Sequence, residues 1–143
     1  MRGTDAESLS GTPSPGSVRT WSVEMPGVAG AVTLLRHWVK LLVADAPHAV
    51  EALALIVSEY GTNALWHSGS GAPGGRIKVD LALTANQIRL TVLDDGPSAL
   101  PTDWAPDCLS DHGRGLALVS AYADDHGHDD TPAGHLAWAV VYR

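Results

Sequence analysis

Two stretches of strict alternation constrain the fold of this chain more than any other feature. In the first, Ile77, Val79, Leu81 and Leu83 alternate with Arg76, Lys78, Asp80 and Ala82. In the second, Ile88, Leu90 and Val92 alternate with Gln87, Arg89 and Thr91. Successive side chains of a strand point to opposite faces, so each stretch has an apolar face and a polar one. A turn at Thr84–Asn86 joins them. The pair reads as an antiparallel hairpin with one buried face, which other elements must cover.

Two helices can supply that cover. A first strand at Val18–Met25 places Trp21, Val23 and Met25 on one face and Thr20, Ser22 and Glu24 on the other, and Pro26-Gly27 ends it. From Val28 to about Ala44, the residues Val28, Val32, Leu35, Val39 and Leu42 make an apolar helical face, with Arg36, His37 and Lys40 toward water. Pro47 suits the first turn of a second helix. On that helix Leu53, Val57, Tyr60 and Ala64 suit a core, and Gly61 on the same side lets a neighbour sit close.

The same helix carries a polar stripe. Glu59, Asn63 and His67 recur every fourth residue and share one face. An amide oxygen is a hard ligand suited to magnesium. A carboxylate one turn away can orient or deprotonate a nucleophile beside a phosphate. The following run, His67–Gly75, reads as a flexible loop. Its Gly69, Gly71 and Gly74 match G-x-G-x-x-G, but a helix precedes them, a strand follows and Pro73 interrupts, so a dinucleotide turn is excluded.

The end of the second hairpin strand is chemically specific. Asp94 falls on the inward parity of Ile88, Leu90 and Val92, whereas Asp95 falls outward and reads as a solvated loop residue. A carboxylate aimed inward is costly unless it receives hydrogen bonds. The amino group of a flat heterocycle slotted between strand and helix would supply one. Gly96-Pro97 breaks the strand, and Ser98–His112 is long for a structureless connection, which suggests a lid. Gly113-Arg-Gly-Leu116 then opens a helical pattern through Val119 and Ala123. Glycines at a helix start let backbone N–H groups approach an anion. A strand at Leu136–Tyr142, with a shorter one near His126–Thr131, closes the chain.

Composition narrows the function. A length of 143 residues suits one domain, here residues 18–143 behind a flexible Ser-, Gly- and Pro-rich tail at 1–17. The formal charge is -7, and between Arg89 and Arg143 the only Lys or Arg is Arg114. That excludes a basic nucleic-acid surface. A bound polyphosphate would need a metal ion, backbone N–H groups and Arg114. No apolar run reaches membrane-spanning length and no export signal is evident, so a cytoplasmic protein without a membrane partner is expected. Cys108, the single cysteine, reads as a small bystander. His126, His128 and His135 lack a zinc spacing and read as turn and edge-strand residues, and the five Trp as core and rim.

Three sequence boxes occur in order: Val57-Ser-Glu-x-x-x-Asn-Ala-x-x-His-Ser68, Leu93-Asp-Asp-Gly-Pro97 and Gly113-Arg-Gly-Leu-x-Leu-Val119. Together they resemble the N box and two glycine boxes of the GHKL ATPase superfamily, and most closely its small anti-sigma-factor serine kinases. The resemblance covers roughly residues 18–143. It implies a Bergerat-type ATP-binding fold: an α/β (α+β) two-layer sandwich whose mixed, mostly antiparallel sheet carries helices on one face. It implies that Asn63 holds magnesium, that Glu59 is the general base, and that Asp94 accepts from the adenine amino group. Gly96 would line the adenine slot, and Gly113, Gly115 and Leu116 would form the phosphate turn. Arg114 is added as the nearby cation.

The implied activity is transfer of the ATP γ-phosphate to a serine of an antagonist protein. The implied partners are a sigma factor, an anti-anti-sigma-like protein, or both, and a second copy of the chain. The alternative is an ATP-dependent interaction switch without significant kinase activity. Tyr60-Gly61 and Trp66 depart from the family pattern beside the pocket.

Overall fold

The hairpin forms as expected. β3 (Arg76–Leu83) and β4 (Gln87–Leu93) pair antiparallel, with Val79 opposite Val92 and Leu81 opposite Leu90. The computed structural model describes residues 2–3, 17–96 and 117–143. Around the hairpin stand β1 (Arg2–Gly3), β2 (Arg19–Pro26), β5 (Asp125–Thr131) and β6 (Gly134–Tyr142), in the order β1-β2-β3-β4-β6-β5. The two-residue β1 extends the edge beside β2. The helices are α1 (Gly30–Leu42), α2 (Pro47–His67) and α3, residues 117–122. The lid at Ser98–His112, with Cys108, lies outside the described residues, as does most of the expected tail.

The expected α+β layering is present. Its sheet is antiparallel at every described pairing, with no parallel pair of the kind a mixed sheet would hold. The connectivity explains this. Two helices, α1 and α2, connect β2 to β3, so the chain returns reversed. β4 and β5 run the same way, but β6 lies between them and pairs antiparallel with both.

One face of the sheet is buried. Ile77, Val79, Leu81, Leu83, Ile88, Leu90 and Val92 join Ala137, Ala139 and Val141 in one core with the helices. From α2 come Leu53, Ile56, Val57, Tyr60 and Ala64, which includes every residue that its periodicity assigned inward. Each fully buried large aliphatic side chain contributes roughly 1.5–3 kcal/mol. The opposite face carries polar groups: Ser22 donates to Asp80 across β2 and β3, and the Arg89 guanidinium lies 4.5 Å from the Trp138 ring centroid.

Helix α1 starts two residues later than its apolar pattern suggests. The Val28 amide donates to the Pro26 carbonyl at 2.9 Å, which closes a turn and leaves Val28 57% exposed. Ala31 takes the inward position instead, followed by Leu35, Val39 and Leu42. Against α2, Arg36 Nε donates to Ser58 Oγ at 2.9 Å, so a residue expected toward water is used between helices. Gly61 makes the close approach possible: a Cβ there would meet Val32 Cγ2 at 3.3 Å.

Candidate functional site

Helix α2 ends at a serine that turns the chain into the site. Ser68 is extended, so the helix cannot continue through it. Its hydroxyl donates to the Ala64 carbonyl at 2.6 Å, which satisfies one of the helix's terminal acceptors. The same oxygen accepts from the Ser70 amide at 3.0 Å and nucleates the single 3-10 turn Gly69–Gly71.

The run His67–Gly75, expected as a flexible loop, is a clamp. Ser70 is fully buried. Its hydroxyl donates to the Arg76 carbonyl at 2.6 Å and accepts from the Asp95 amide at 2.9 Å. The Gly69 amide donates to the Gly96 carbonyl at 2.8 Å, and the Gly27 amide to the Gly75 carbonyl at 2.9 Å. Buried backbone groups must find partners, and here the loop finds them on the end of β4. Asp95 is exposed, as its parity requires, yet Oδ2 accepts from the Arg76 amide at 2.8 Å. Sequence reasoning missed both roles. Two serines alternating directly after a helix were the available signal.

The clamp fixes one wall of a cavity of about 290 Å³. Val92 and Ala137 form an apolar floor, while Tyr60 and Asn63 face it from α2. Asp94 and Gly96 come from the end of β4, and His128, Asp130 and His135 from the β5–β6 hairpin. The structure thus brings Asn63, Asp94 and Gly96 to one cavity. Glu59 lies half-buried on α2 and is not among the described lining residues. Gly113, Arg114, Gly115 and Leu116 lie outside the described residues, as does the His67 side chain.

Asp94 is the polar centre of the cavity, 9% exposed. Its Oδ1 accepts from the Gly96 amide at 2.7 Å, and its own amide donates to the His135 carbonyl at 2.9 Å. Burial pushes its carboxyl above the usual carboxylate range, and the Asp95 charge adds to this. The Gly96 amide, the His135 charge and the His135 backbone oppose the rise without cancelling it. The close approach of β6 depends on Gly134, at φ +142°, where a Cβ would fall 1.8 Å from the Asp94 carbonyl oxygen. An L side chain fits neither that conformation nor that gap.

Tyr60, a departure from the expected pattern, is structural as well as cavity-lining. Its hydroxyl donates to the Trp138 carbonyl at 2.9 Å, and burial pushes its pKa up to about 12. Trp66 is 45% exposed and lies away from this cavity. The histidines of the β5–β6 hairpin, expected as turn and edge residues, divide by role. His126 meets Ser120 Oγ at 3.0 Å, whereas His128 and His135 face the cavity. Counting inward parity back from Ala139 and Ala137 to His135 would have found the latter.

The cavity offers an apolar slot closed at one end by a buried acceptor carboxylate, with an amide on the facing helix. That suits a flat heterocycle bearing an amino group. Among the described residues no group of three or more His, Cys, Asp or Glu could hold a metal ion. A hard cation held by one amide and by ligand phosphates remains compatible with Asn63. Among the described residues, no helix is long and apolar enough to cross a membrane.

Comparison with known proteins fits this geometry. The family model described as "Histidine kinase-like ATPase domain" matches residues 27–140. No curated protein matches the chain. Among solved structures, the fold is similar to the crystal structure of the RsbU and RsbW domains of Rv1364c from Mycobacterium tuberculosis. The TM-score is 0.63 and the identity 18%, over 85% of this chain and 31% of that one. The chain therefore spans about a third of the length of that solved chain. With the family match extending over most of its length, and a buried carboxylate and facing amide in one cavity, the chain belongs to the histidine kinase-like ATPase family.

Proposed function

We propose that the chain binds ATP with magnesium in this cavity and acts as a regulatory protein serine/threonine kinase of the anti-sigma type. One observation carries the reading: Asp94 is buried at the end of an apolar slot opposite Asn63, in a chain of an ATPase-domain family. Asp94 accepts from the amino group of the base, and Gly96 keeps that end of the slot narrow. Asn63 presents its amide oxygen to magnesium, which when bound neutralises phosphate charge. Gly113, Gly115 and Leu116 contribute the phosphate turn, with Arg114 as the cation.

In the transfer, a serine oxygen of the partner forms a bond to the γ-phosphorus, the bond to the β-bridging oxygen breaks, and ADP leaves. Glu59 accepts the serine proton. Such transfer rests mostly on positioning and charge stabilisation, so few side chains suffice. The recipient serine belongs to an anti-anti-sigma-like protein, and a sigma factor is the second partner. The chain works in the cytoplasm, as a homodimer.

A second reading has its own support. Binding alone needs only groups that line the cavity, Asn63 and Asp94 among them, and that much serves an ATP-dependent interaction switch without significant phosphotransfer. Calorimetric titration with ATP, with and without magnesium, tests the common part. Magnesium-dependent binding with Kd in the micromolar range, about -8 kcal/mol, is expected for the intact chain. Absence of binding would overturn both readings. Glu59→Ala then separates them: retained ATP affinity with lost partner phosphorylation supports the kinase, and an unchanged phosphorylation rate removes Glu59 as the base.

A further inference from the structure

The sheet has a face that no described element covers. Helices α1, α2 and α3 all contribute to the core on the other side. On the uncovered face two opposite charges lie close and do not pair. Asp80 of β3 stands opposite Thr91, and Arg89 of β4 opposite Ala82, so the two are diagonal neighbours on one face. Among the described residues no ion pair joins them. Asp80 is drawn toward β2, where the Ser22 hydroxyl donates to it. Arg89 is drawn the other way, onto the Trp138 ring of β6 at 4.5 Å. Between them opens a cavity of about 310 Å³, lined also by Thr20 and Thr91.

An occupant of this cavity meets a cation on one side and an anion on the other. Resting on the homodimer of the reading above, we propose that this face is the dimer surface. Its occupant is the same face of a second copy, with Arg89 of each protomer paired to Asp80 of the other. A two-fold axis between diagonal neighbours exchanges their places, so both pairs form together. A partner surface of one sign would set a like charge against Asp80 or Arg89, which costs affinity.

The rest of the face supports such an association. Arg89 has no hydrogen-bond acceptor among the described residues, so its N–H donors suit a partner carboxylate. Its position is set before association. The Trp138 ring beneath it rests against Gly127 of β5, where a Cβ would fall 2.7 Å from a ring carbon. A pre-placed guanidinium loses less freedom on pairing. Leu93 and Leu136 are paired across β4 and β6 on the same face, half-buried, and Tyr142 follows on that parity, exposed. They add apolar area to the ion pairs. Thr91 and Trp138 point away from Val92 and Ala137, the floor of the nucleotide cavity. Pairing by this face therefore leaves both nucleotide cavities open to ligand and to other proteins.

The test is sedimentation of the full chain over a range of concentrations, intact and as charge-reversed variants. The intact chain is expected to dimerise with Kd in about the micromolar range. Arg89→Asp and Asp80→Arg should each weaken self-association at least about thirtyfold, because each sets like charges opposite one another. An equimolar mixture of the two variants should dimerise to within about threefold of the intact chain, because every facing pair is again of opposite sign. Thr91→Lys removes no bond that the structure shows and adds bulk at the centre of the face, so it should also give monomers. Should either reversal fail to fold, Thr91→Lys decides alone. Reversals that leave the dimer intact, a mixture of folded variants that stays monomeric, or a Thr91→Lys dimer as tight as the intact one would each overturn this surface and leave the homodimer standing. An intact chain that stays monomeric up to about 1 mM would overturn the homodimer together with it. Titration with ATP would still decide the nucleotide site.

Discussion

The Ser70 hydroxyl accepts a 2.9 Å hydrogen bond from the Asp95 amide, across 25 positions of sequence. It ties the loop after α2 to the strand end that carries Asp94, so the helix and the carboxylate keep a fixed separation. Ser70→Ala leaves the Asp95 amide and the Arg76 carbonyl without that partner. A loss of about 1–3 kcal/mol of stability is expected, read from the denaturant midpoint, together with weaker ATP binding. An unchanged midpoint would show that the clamp is not coupled to folding.

Gly134 supplies a second test of the same wall. Gly134→Ala places a Cβ 1.8 Å from the Asp94 carbonyl oxygen at φ +142°. Strain of at least about 2 kcal/mol is expected, seen as a lower melting temperature and lost nucleotide affinity. Gly30→Ala is the control, because a Cβ there meets nothing within 4 Å at the start of α1. It should leave stability equal or raise it by up to about 1 kcal/mol.

Asp94 predicts a pH dependence of stability. Burial raises its folded pKa above the ordinary 3.8. The folded chain therefore holds this proton more tightly than the unfolded chain. Stability from this group is greatest below the ordinary value and is lost as pH rises through the folded value. Asp94→Asn should flatten that part of the stability profile, measured by denaturation across the acid range. It should also weaken ATP binding about tenfold or more, because a charge-assisted acceptor is removed. A profile that keeps its shape in the variant would assign the slope to other carboxyls.

Tyr60 predicts the opposite end of the scale. Its folded pKa of about 12 exceeds the ordinary 10.0. The neutral form is favoured in the fold, so stability falls as pH climbs from the ordinary value toward the folded one. Tyr60→Phe should remove that component, and at neutral pH should cost about 1 kcal/mol through the lost bond to the Trp138 carbonyl. Alkaline unfolding followed by tyrosine absorbance checks both.

Asn63→Ala addresses the metal. ATP affinity in magnesium should fall at least about tenfold, whereas affinity without magnesium should change little. Equal loss in both conditions would make Asn63 a contact to the nucleotide rather than to the cation.

The hairpin, the inward faces of α2 and β2, and the inward turn of Asp94 were legible in the sequence. Each rests on a period of 2.0 or 3.6, and burial follows such periods when one face is covered. Asn63 and Asp94 could be paired from sequence only through the three ordered boxes and the family they resemble, because the helix stripe sets Asn63 apart from the core face while strand parity turns Asp94 toward it. What periodicity could not assign was how distant segments meet. Ser70 reaches Asp95 and Arg76, and Asp130, His135 and His128 join into one chain, only after β5 and β6 close on the sheet. These are short-range bonds between residues far apart in order, or across a hairpin whose register the turn sets. Gly-rich composition suggested flexibility at His67–Gly75 because it counts the freedom of the unfolded chain. The tertiary structure decided otherwise, since backbone groups buried against β4 must be hydrogen-bonded, and the loop's own geometry lets them be.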